Sequence, residues 1–368
     1  MAIVDEVSVL YRASDQCTAT HLALRWKGRV RYTVPRDAAG QQACWKVFRP
    51  GKLGIPLKAM AGLPRLFSSK SCTEGAEIAS MREAIGREAG LSCCRAGSEG
   101  SWTKDTVLLL DQKTVAPLYI VKTGAGATIS ALLQNEANWL RMLRDQASLV
   151  YHVPELIAHR TGEDRSFIAQ SVLSGKFDMR FGELQLDFLQ KLQRVSLQSM
   201  RYEDSGFYRT VSSRLAELNG LLPEAWSTRI ETAMGRIKES LAGSSVLLVA
   251  AHNDFTPWNI GLHQNRAYVF DWEFAANGQM PLFDPLHFVM LPLGLWSQPT
   301  AKIIRRMYET IHRCQRRLGK ELCYEPQTQA LAYLLNVCTL YLRAVRGASI
   351  PLPLLQSYAL VIDRICGA

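Results

Sequence analysis

Four side chains that are suited to catalysis lie close together in the second half of the sequence. His252, Asp254 and Asn259 belong to the segment AHNDFTPWNIG, and Asp271 directly follows the apolar segment AYVF. A carboxylate beside an attacking hydroxyl group can accept or orient its proton, while a carboxamide and a second carboxylate can hold Mg²⁺ against nucleotide phosphates. The residue types therefore predict phosphoryl transfer, with Asp254 at the reacting hydroxyl and with Asn259 and Asp271 as metal ligands.

Two strands must position these side chains. The segments 246–250 and 266–273 read as strands on either side of the polar stretch. We expect a hairpin whose loop presents Asp254 and Asn259 and whose returning strand brings Asp271 to the same end. A single aspartate would be interpreted as a turn or cap residue, so the prediction depends on the combination of side chains.

The block VAAHNDFTPWNIGL…AYVFDWEFA resembles the HGDLHPGN…IDWE signature of the aminoglycoside phosphotransferase and choline kinase-like family, which has a protein kinase-like fold. The resemblance implies that Asp254 is the catalytic base, that Asn259 and Asp271 are metal ligands, and that His252 supports the catalytic loop. It is strong over 250–273 and weaker in the rest of the matching region.

Neighbouring residues complete the resemblance. Glu273 matches an acidic residue two positions after the metal-binding aspartate, which implies a supporting or substrate-facing role. Trp258 stands where a small residue is common and is also a candidate to face the substrate. Asp284, in FDPLHFV, resembles the aspartate that braces the C-terminal lobe. Asn253 replaces the usual glycine, and Phe255 replaces the usual leucine.

The family's first lobe supplies a strand lysine and a helix glutamate that bind the nucleotide. Lys122 closes the predicted strand LYIVK, and Glu136 lies 14 residues later in the predicted helix 127–144. The resemblance implies a buried ion pair that holds Lys122 against the nucleotide's α and β phosphates. The alternative is an exposed lysine at a strand end and a solvated glutamate.

Two further segments are candidates for nucleotide binding. GSEGS (97–101) could cover the phosphates with backbone N–H groups, which makes Ser98 and Gly100 candidates, although any hairpin turn looks similar. FIAQSVLSGK suits a strand that crosses between lobes, where adenine would meet the backbone from Gln170 to Val172.

A strand-rich first part and a helical second part predict a bilobal α+β enzyme, and the resemblance implies that its fold is protein kinase-like. We expect an N-terminal extension of unknown role at 1–90, a nucleotide-binding lobe at 91–173, and a catalytic and substrate-binding lobe at 174–368. The predicted strands are a hairpin at 19–34 and segments 43–50, 91–96, 102–110, 118–122, 155–159, 166–172, 246–250 and 266–273. The predicted helices are 74–89, 127–144, 184–200, 207–221, 225–242, 299–318, 326–346 and 352–366.

The net charge of +10 is unevenly distributed. Residues 1–100 and residues 301–368 each carry a net charge of +6, whereas residues 101–300 carry −2. A basic surface attracts nucleic acid, anionic lipid or phosphorylated substrates. Because no basic run is interleaved with aromatic residues, we expect no nucleic-acid partner, while peripheral contact of the basic termini with an anionic surface stays open.

Compartment and redox state follow from other features. No apolar run approaches the length of a transmembrane helix, and Asp5 and Glu6 stand where an export signal would carry positive charge. We therefore expect a cytoplasmic protein. The nine cysteines are odd in number and form no C-x-x-C pair, so we expect reduced thiols and neither zinc nor a disulfide framework.

These features favour an ATP-dependent, Mg²⁺-dependent small-molecule kinase, with GTP not excluded. The acceptor would be a hydroxyl group of a sugar, polyol, amino alcohol or aminoglycoside-like compound, and the basic C-terminal region favours a sugar or anionic polyol over a polycation. The alternative is a catalytically inactive, kinase-like scaffold or regulatory protein. A protein kinase is disfavoured because the sequence has no recognisable DFG and APE pair.

Overall fold

The computed structural model of the chain describes residues 10–14, 17, 19–26, 29–48, 68–86, 89–97, 103–172, 175–319, 324–345 and 353–367. The chain divides into two compact units. Unit one comprises Met1–Arg141 and Pro154–Val172, and unit two comprises Met142–Val153 and Leu173–Ala368.

Unit one is built on a sheet of nine described strands in the order β1-β4-β2-β3-β5-β6-β7-β9-β8, and every neighbouring pair is antiparallel. The strands are β1 Tyr11–Ala13, β2 His21–Trp26, β3 Arg29–Pro35, β4 Ser68–Glu74, β5 Ala89–Arg95, β6 Asp105–Asp111, β7 Pro117–Gly124, β8 Leu156–Arg160 and β9 Ser166–Ser171.

Both faces of this sheet are apolar, as the period-two pattern of β6 shows. Leu108 and Leu110 pack with buried residues of α1 (Ala38–Val47) on one face, whereas Val107 and Leu109 pack with α2 (Ala76–Ile85) on the other. The third helix of the unit, α3 (Ala127–Arg144), follows β7. Strand β6 is thus buried on both faces. Its neighbour β7 pairs with it residue by residue, from Asp105 opposite Thr123 to Leu109 opposite Tyr119.

The described part of residues 1–90 continues the same sheet. Strand β3 pairs with β5, with Tyr32 opposite Arg95, so β1 to β4 extend the sheet beyond the strands that the sequence assigns to nucleotide binding. The predicted hairpin at 19–34 is confirmed by the pairing of β2 with β3. Residues 49–67 lie outside the described residues, and Ser68–Glu74 forms β4.

The predicted strand at 43–50 is wrong, because Ala38–Val47 is helix α1. The Oδ1 of Asp37 accepts a hydrogen bond from the Gly40 N–H at 2.6 Å and caps the helix. Gly40, Ala43 and Cys44 are buried at spacings of three and four residues, which is the helical period that the short apolar run concealed.

The expectation of unpaired thiols is also wrong for one pair. Cys44 of α1 and Cys93 of β5 form a disulfide, with their Cα atoms 6.3 Å apart. A separation of 49 residues gives no local signal, and only the packing of α1 beside the sheet brings the two together. Of the free cysteines in the described part of the chain, four are buried: Cys72, Cys94, Cys314 and Cys338.

Unit two is mainly helical. Its helices are α4 Glu183–Gln193, α5 Gly206–Leu218, α6 Glu224–Leu241, α7 Phe283–Leu295, α8 Thr300–Leu318, α9 Pro326–Val345 and α10 Pro353–Cys366. Two small antiparallel sheets have the orders β10-β11-β14 and β12-β13. Their strands are β10 Gln198–Arg201, β11 Ser245–Ala251, β12 Ile260–His263, β13 Arg266–Val269 and β14 Ala276–Gln279. A strand-rich unit and a helical unit confirm the α+β class.

One predicted helix differs from the structure, and one helix of the structure was not predicted. The helix expected over 184–200 ends at Gln193, and 198–201 forms β10, which pairs with β11. Helix α7 was not predicted, because it is apolar on nearly every side, is buried along most of its length and contains Pro292. A helix that is buried all round shows no amphipathic period. Among the described residues, no helix is long and apolar enough to span a membrane.

Candidate active site

The loop between β11 and β12 carries Asp254 and Asn259, and a direct side-chain contact joins them. The Nδ2 of Asn259 donates hydrogen bonds to the main-chain oxygen of Asp254 at 3.0 Å and to its Oδ2 at 2.7 Å. Asn259 ends a short 3-10 turn and is buried, whereas 28% of the Asp254 side chain is exposed. The loop thus leaves the Asp254 carboxylate partly exposed to solvent, while the buried Asn259 side chain holds one of its oxygens.

Asp271 lies beside this loop because β12 and β13 form a hairpin. Ile260 pairs with Val269, and the Phe270 N–H donates to the main-chain oxygen of Asn259 at 3.1 Å. Asp271 follows with φ at 70°, a left-handed conformation that turns the chain out of the strand. The structure therefore brings the three predicted acidic and amide residues together.

The hairpin differs from the predicted one in its partners. Strand β11, before the loop, pairs with β10 and β14, and the returning strand β13 pairs only with the short β12 within the described part of the chain. The predicted hairpin pairs β11 with the strand before Asp271. The actual partner of that strand is β12, whose segment IGLH is too short to be recognised as a strand from the sequence.

His252 is fully buried and connects the loop to the strand that carries Asp271. Its Nδ1 accepts a hydrogen bond from the Asp254 N–H at 3.2 Å, so its Nε2–H donates to the main-chain oxygen of Phe270 at 3.0 Å. Burial lowers the pKa of His252 to about 4, from an ordinary value of 6.5. Both ring nitrogens are occupied by the main chain, which suits a supporting role.

Asp284, at the start of α7, holds the other side of the loop. Its two carboxylate oxygens accept hydrogen bonds from the backbone N–H groups of His252 at 2.7 Å and Asn253 at 2.9 Å. Burial raises the pKa of Asp284 to about 6, against the opposing effect of those two donors. Asn253 has φ at 62°, a conformation that glycine and asparagine tolerate best, which explains the residue type at this position.

A buried chain of polar side chains that sequence reasoning missed also meets Asp254. The Nε2 of His287 lies 3.4 Å from Oδ1 of Asp254, and its Nδ1 lies 3.3 Å from the Tyr333 hydroxyl, which lies 3.1 Å from the Tyr358 hydroxyl. Burial raises the pKa of both tyrosines, so both hydroxyl groups are protonated. The sequence signal was the position of His287 one helical turn after Asp284.

In unit one, Lys122 and Glu136 form the predicted ion pair. The Nζ of Lys122 lies 2.5 Å from Oε1 of Glu136, and both side chains are buried. Strand β7 holds Lys122 between Thr106 of β6 and Ile168 of β9, while α3 supplies Glu136. An exposed lysine and a solvated glutamate are therefore excluded.

The remaining predicted positions are less closely connected. Gln170 is a buried residue of β9, and Val172 follows that strand and packs on the α1 face of the sheet. Trp258 is exposed, and Glu273 is half-buried in the 3-10 turn after Asp271. Ser98 and Gly100 lie outside the described residues.

The donor atoms beside Asp254 fit a hard cation. Because the amide nitrogen of Asn259 bonds to Asp254, its carbonyl oxygen is left over, and this oxygen has no hydrogen-bond partner among the residues that the structure describes. Asp271 follows β13, and β13 pairs with the strand that begins directly after Asn259. Within the same residues no cluster of three or more acidic, histidine or cysteine ligands occurs. Mg²⁺ takes few protein ligands and completes its shell with phosphates and water, so the pair is sufficient.

Comparison with known proteins supports the same class. The family model described as the phosphotransferase enzyme family matches residues 97–314, which is more than half of the chain, and the protein belongs to that family. No curated protein matches the sequence.

Solved structures share the fold at low sequence identity. A thermostable mutant of aminoglycoside phosphotransferase APH(4)-Ia in a ternary complex with ADP and hygromycin B has a TM-score of 0.53 and 13% identity, over 78% of this chain and 97% of that one. The apo form of such a mutant has a TM-score of 0.53, 14% identity and the same coverage. ADP-bound APH(2'')-Ib has a TM-score of 0.49 and 15% identity, over 78% of this chain and 96% of that one.

The fold is thus the expected α+β, kinase-like one. Family membership makes the protein a small-molecule phosphotransferase with a hydroxyl group as acceptor.

Proposed function

We propose that this protein transfers the γ-phosphoryl group of ATP to a hydroxyl group of a sugar or polyol, with Asp254 as catalytic base. The observation that carries this proposal is the 2.7 Å bond from Asn259 to Asp254, beside Asp271. One loop and one strand end thereby combine a solvent-reaching carboxylate with an amide oxygen and a second carboxylate. In phosphoryl transfer, the first carboxylate can accept the acceptor's proton, and the amide oxygen and the second carboxylate can hold Mg²⁺ against the phosphates.

Asp254 orients the acceptor. The hydroxyl group of the acceptor donates a hydrogen bond to the Asp254 carboxylate and gives up its proton there as it attacks the phosphorus atom in line with the leaving group. Asn259 holds Oδ2, and His287 faces Oδ1 at 3.4 Å, so the carboxylate cannot rotate freely. We infer that His287 is a positioning residue: because the Asp254 carboxylate only accepts, Nε2 of His287 carries the proton that it donates to Asp254, and Nδ1 accepts from the Tyr333 hydroxyl.

The residues that would hold Mg²⁺ are Asn259, through its carbonyl oxygen, and Asp271. The ion supplies charge neutralisation at the phosphate oxygens that accumulate negative charge. His252 links the loop that carries Asn259 to the main chain directly before Asp271. Its ring accepts a hydrogen bond from the Asp254 N–H and donates one to the main-chain oxygen of Phe270. Asp284 holds the loop backbone from the opposite side.

Unit one supplies the residues proposed for the nucleotide. The ion pair with Glu136 keeps the Lys122 ammonium group in one place, where it can meet phosphate oxygens without first losing side-chain entropy. The backbone from Gln170 to Val172 is proposed for adenine, and Ser98 and Gly100 are proposed for the phosphates.

The charge of the chain supports the choice of acceptor. Residues 301–368 carry a net charge of +6. A polycationic aminoglycoside would be repelled by this excess, whereas a neutral or anionic sugar or polyol would not.

An acceptor screen tests the proposal. ADP release is measured over sugars, sugar phosphates, polyols, amino alcohols, aminoglycosides and nucleosides, with ATP and GTP in parallel and with no acceptor as the control. We expect Mg²⁺-dependent turnover with ATP and a neutral or anionic sugar or polyol. Mg²⁺-dependent nucleotide binding without turnover on any acceptor would instead indicate a scaffold. Turnover on polycations alone would contradict the proposed acceptor class.

A further inference from the structure

Helix α8 carries a stripe of positive charge along one of its faces. Its cations recur at spacings of three, four and seven residues, so they share one face, while Ile303, Met307 and Ile311 on the other face are buried. The stripe consists of Lys302, Arg305, Arg306, Arg313, Arg316 and Arg317.

The stripe is only partly neutralised. Arg305 and Arg306 share Glu309, at 3.7 and 3.0 Å, and a second carboxylate, Glu183 of α4, serves both Arg313 at 2.7 Å and Arg317 at 3.4 Å. The other two cations of the stripe have no acidic partner among the described residues. Six cations thus face two carboxylates, an excess of four positive charges along one helix of about 28 Å.

An exposed tryptophan adjoins the N-terminal end of the stripe. The Nζ of Lys302 donates to Oε1 of Gln298 at 2.9 Å, and Nε2 of Gln298 donates to the main-chain oxygen of Trp296 at 3.4 Å. Half of Trp296 is exposed. A tryptophan side chain combines an apolar body with one N–H donor and favours the boundary between water and lipid.

We propose that the α8 stripe and Trp296 dock on an anionic lipid bilayer surface. Each lysine or arginine near such a surface raises the partition coefficient about fivefold, and the effect decays within a Debye length. A straight row of cations that ends in one aromatic side chain fits a flat charged surface. Single-stranded nucleic acid instead favours aromatic side chains that alternate with the cations for base stacking, and the exposed face of this helix has no such alternation.

Vesicle sedimentation tests this surface without any measurement of activity, so its result is independent of the acceptor and of the proposed reaction. The full chain is mixed with vesicles of one part phosphatidylglycerol to two parts phosphatidylcholine, or with phosphatidylcholine alone, at low and high salt. We expect binding only to the anionic vesicles, with a steep loss at high salt.

Two triple variants with the same loss of charge make the test specific. Lys302→Gln, Arg305→Gln and Arg316→Gln together should lower the partition coefficient roughly 100-fold. The control combines Arg209→Gln, Arg236→Gln and Lys238→Gln, exposed residues of α5 and α6, and should change it less than about threefold. Thermal melting establishes that both variants fold, and Trp296→Ser should lower binding several-fold at unchanged salt dependence.

Three outcomes would overturn the proposal. The first is the absence of wild-type binding to anionic vesicles. The second is an equal loss in both triple variants, which would mean that net charge alone is responsible. The third is stripe-dependent binding of a single-stranded RNA without binding to vesicles, which would make nucleic acid the partner.

Discussion

The amide nitrogen of Asn259 lies 2.7 Å from Oδ2 of Asp254. The side chain proposed to hold the metal therefore also fixes the carboxylate proposed to meet the acceptor. A substitution at Asn259 should therefore weaken both metal binding and acceptor activation. A substitution at Asp271 should mainly weaken metal binding, and one at Asp254 should mainly weaken acceptor activation.

Substitutions at the two proposed metal ligands should have different effects. Asp271→Asn should remove most of the gain in nucleotide affinity that Mg²⁺ provides, because the variant loses a charged oxygen ligand. Asn259→Ala should do the same and should also lower kcat, since Oδ2 of Asp254 loses its donor. Calorimetric titration of nucleotide with and without Mg²⁺, with steady-state rates alongside, measures both. Unchanged Mg²⁺-nucleotide affinity in Asp271→Asn would remove that residue from the metal site.

Breaking the buried ion pair of unit one should lower both stability and nucleotide affinity. Lys122→Met leaves the Glu136 carboxylate buried without its cation, at a cost of about 3–5 kcal/mol in the free energy of unfolding. The double variant with Glu136→Leu should recover much of that stability but should keep a raised KM for nucleotide. Urea unfolding and nucleotide titration of the single and double variants give the comparison. A double variant with wild-type nucleotide affinity would show that Lys122 does not meet phosphate.

His287 should affect turnover without affecting binding. His287→Phe keeps the ring shape but removes the donor to Oδ1 of Asp254, so kcat should fall by about 10- to 100-fold while both KM values stay near those of the wild type. His287→Gln restores an N–H donor and should recover part of kcat. Tyr333→Phe should produce a smaller loss. A proportional rise in KM, or equal rates in the Phe and Gln variants, would indicate a purely structural role.

The pH dependence of stability should carry the signature of His252. Its pKa in the native state is lowered to about 4. Between pH 6.5 and pH 4 the unfolded chain therefore binds a proton at this residue that the native state does not bind. The free energy of unfolding should therefore lose up to about 3 kcal/mol as the pH falls from 6.5 to 4. Asp284 has the opposite sign, because its raised pKa lets the native state keep a proton that the unfolded chain releases between pH 3.8 and about 6.

These two contributions should oppose each other near pH 5. His252→Asn should remove the acid loss and leave the gain from Asp284, which urea unfolding at pH 7 and pH 5 can measure against the wild type. NMR provides a direct check, since the imidazole signals of His252 should not shift between pH 7 and pH 5. A His252 ring that titrates near its ordinary pKa would contradict this prediction.

The contacts of the loop that carries Asp254 and Asn259 could be predicted from the sequence because they are local. Asp254 and Asn259 lie five residues apart, and Asp271 follows an apolar strand, so residue types and spacing sufficed. The ion pair of Lys122 and Glu136 was implied by the family resemblance, and a strand and the next helix bring the two residues together. The disulfide between Cys44 and Cys93, the buried helix α7 and the contact of His287 with Asp254 depend on tertiary packing, which leaves no periodic or local pattern.

The role of Asp254 is tested most directly by single-turnover transfer of labelled γ-phosphoryl from ATP to the acceptor identified in the screen. We expect that Asp254→Asn lowers the transfer rate by roughly 10²- to 10⁴-fold, with Mg²⁺-nucleotide affinity and thermal stability close to wild type. A variant that transfers phosphoryl at nearly the wild-type rate would contradict it.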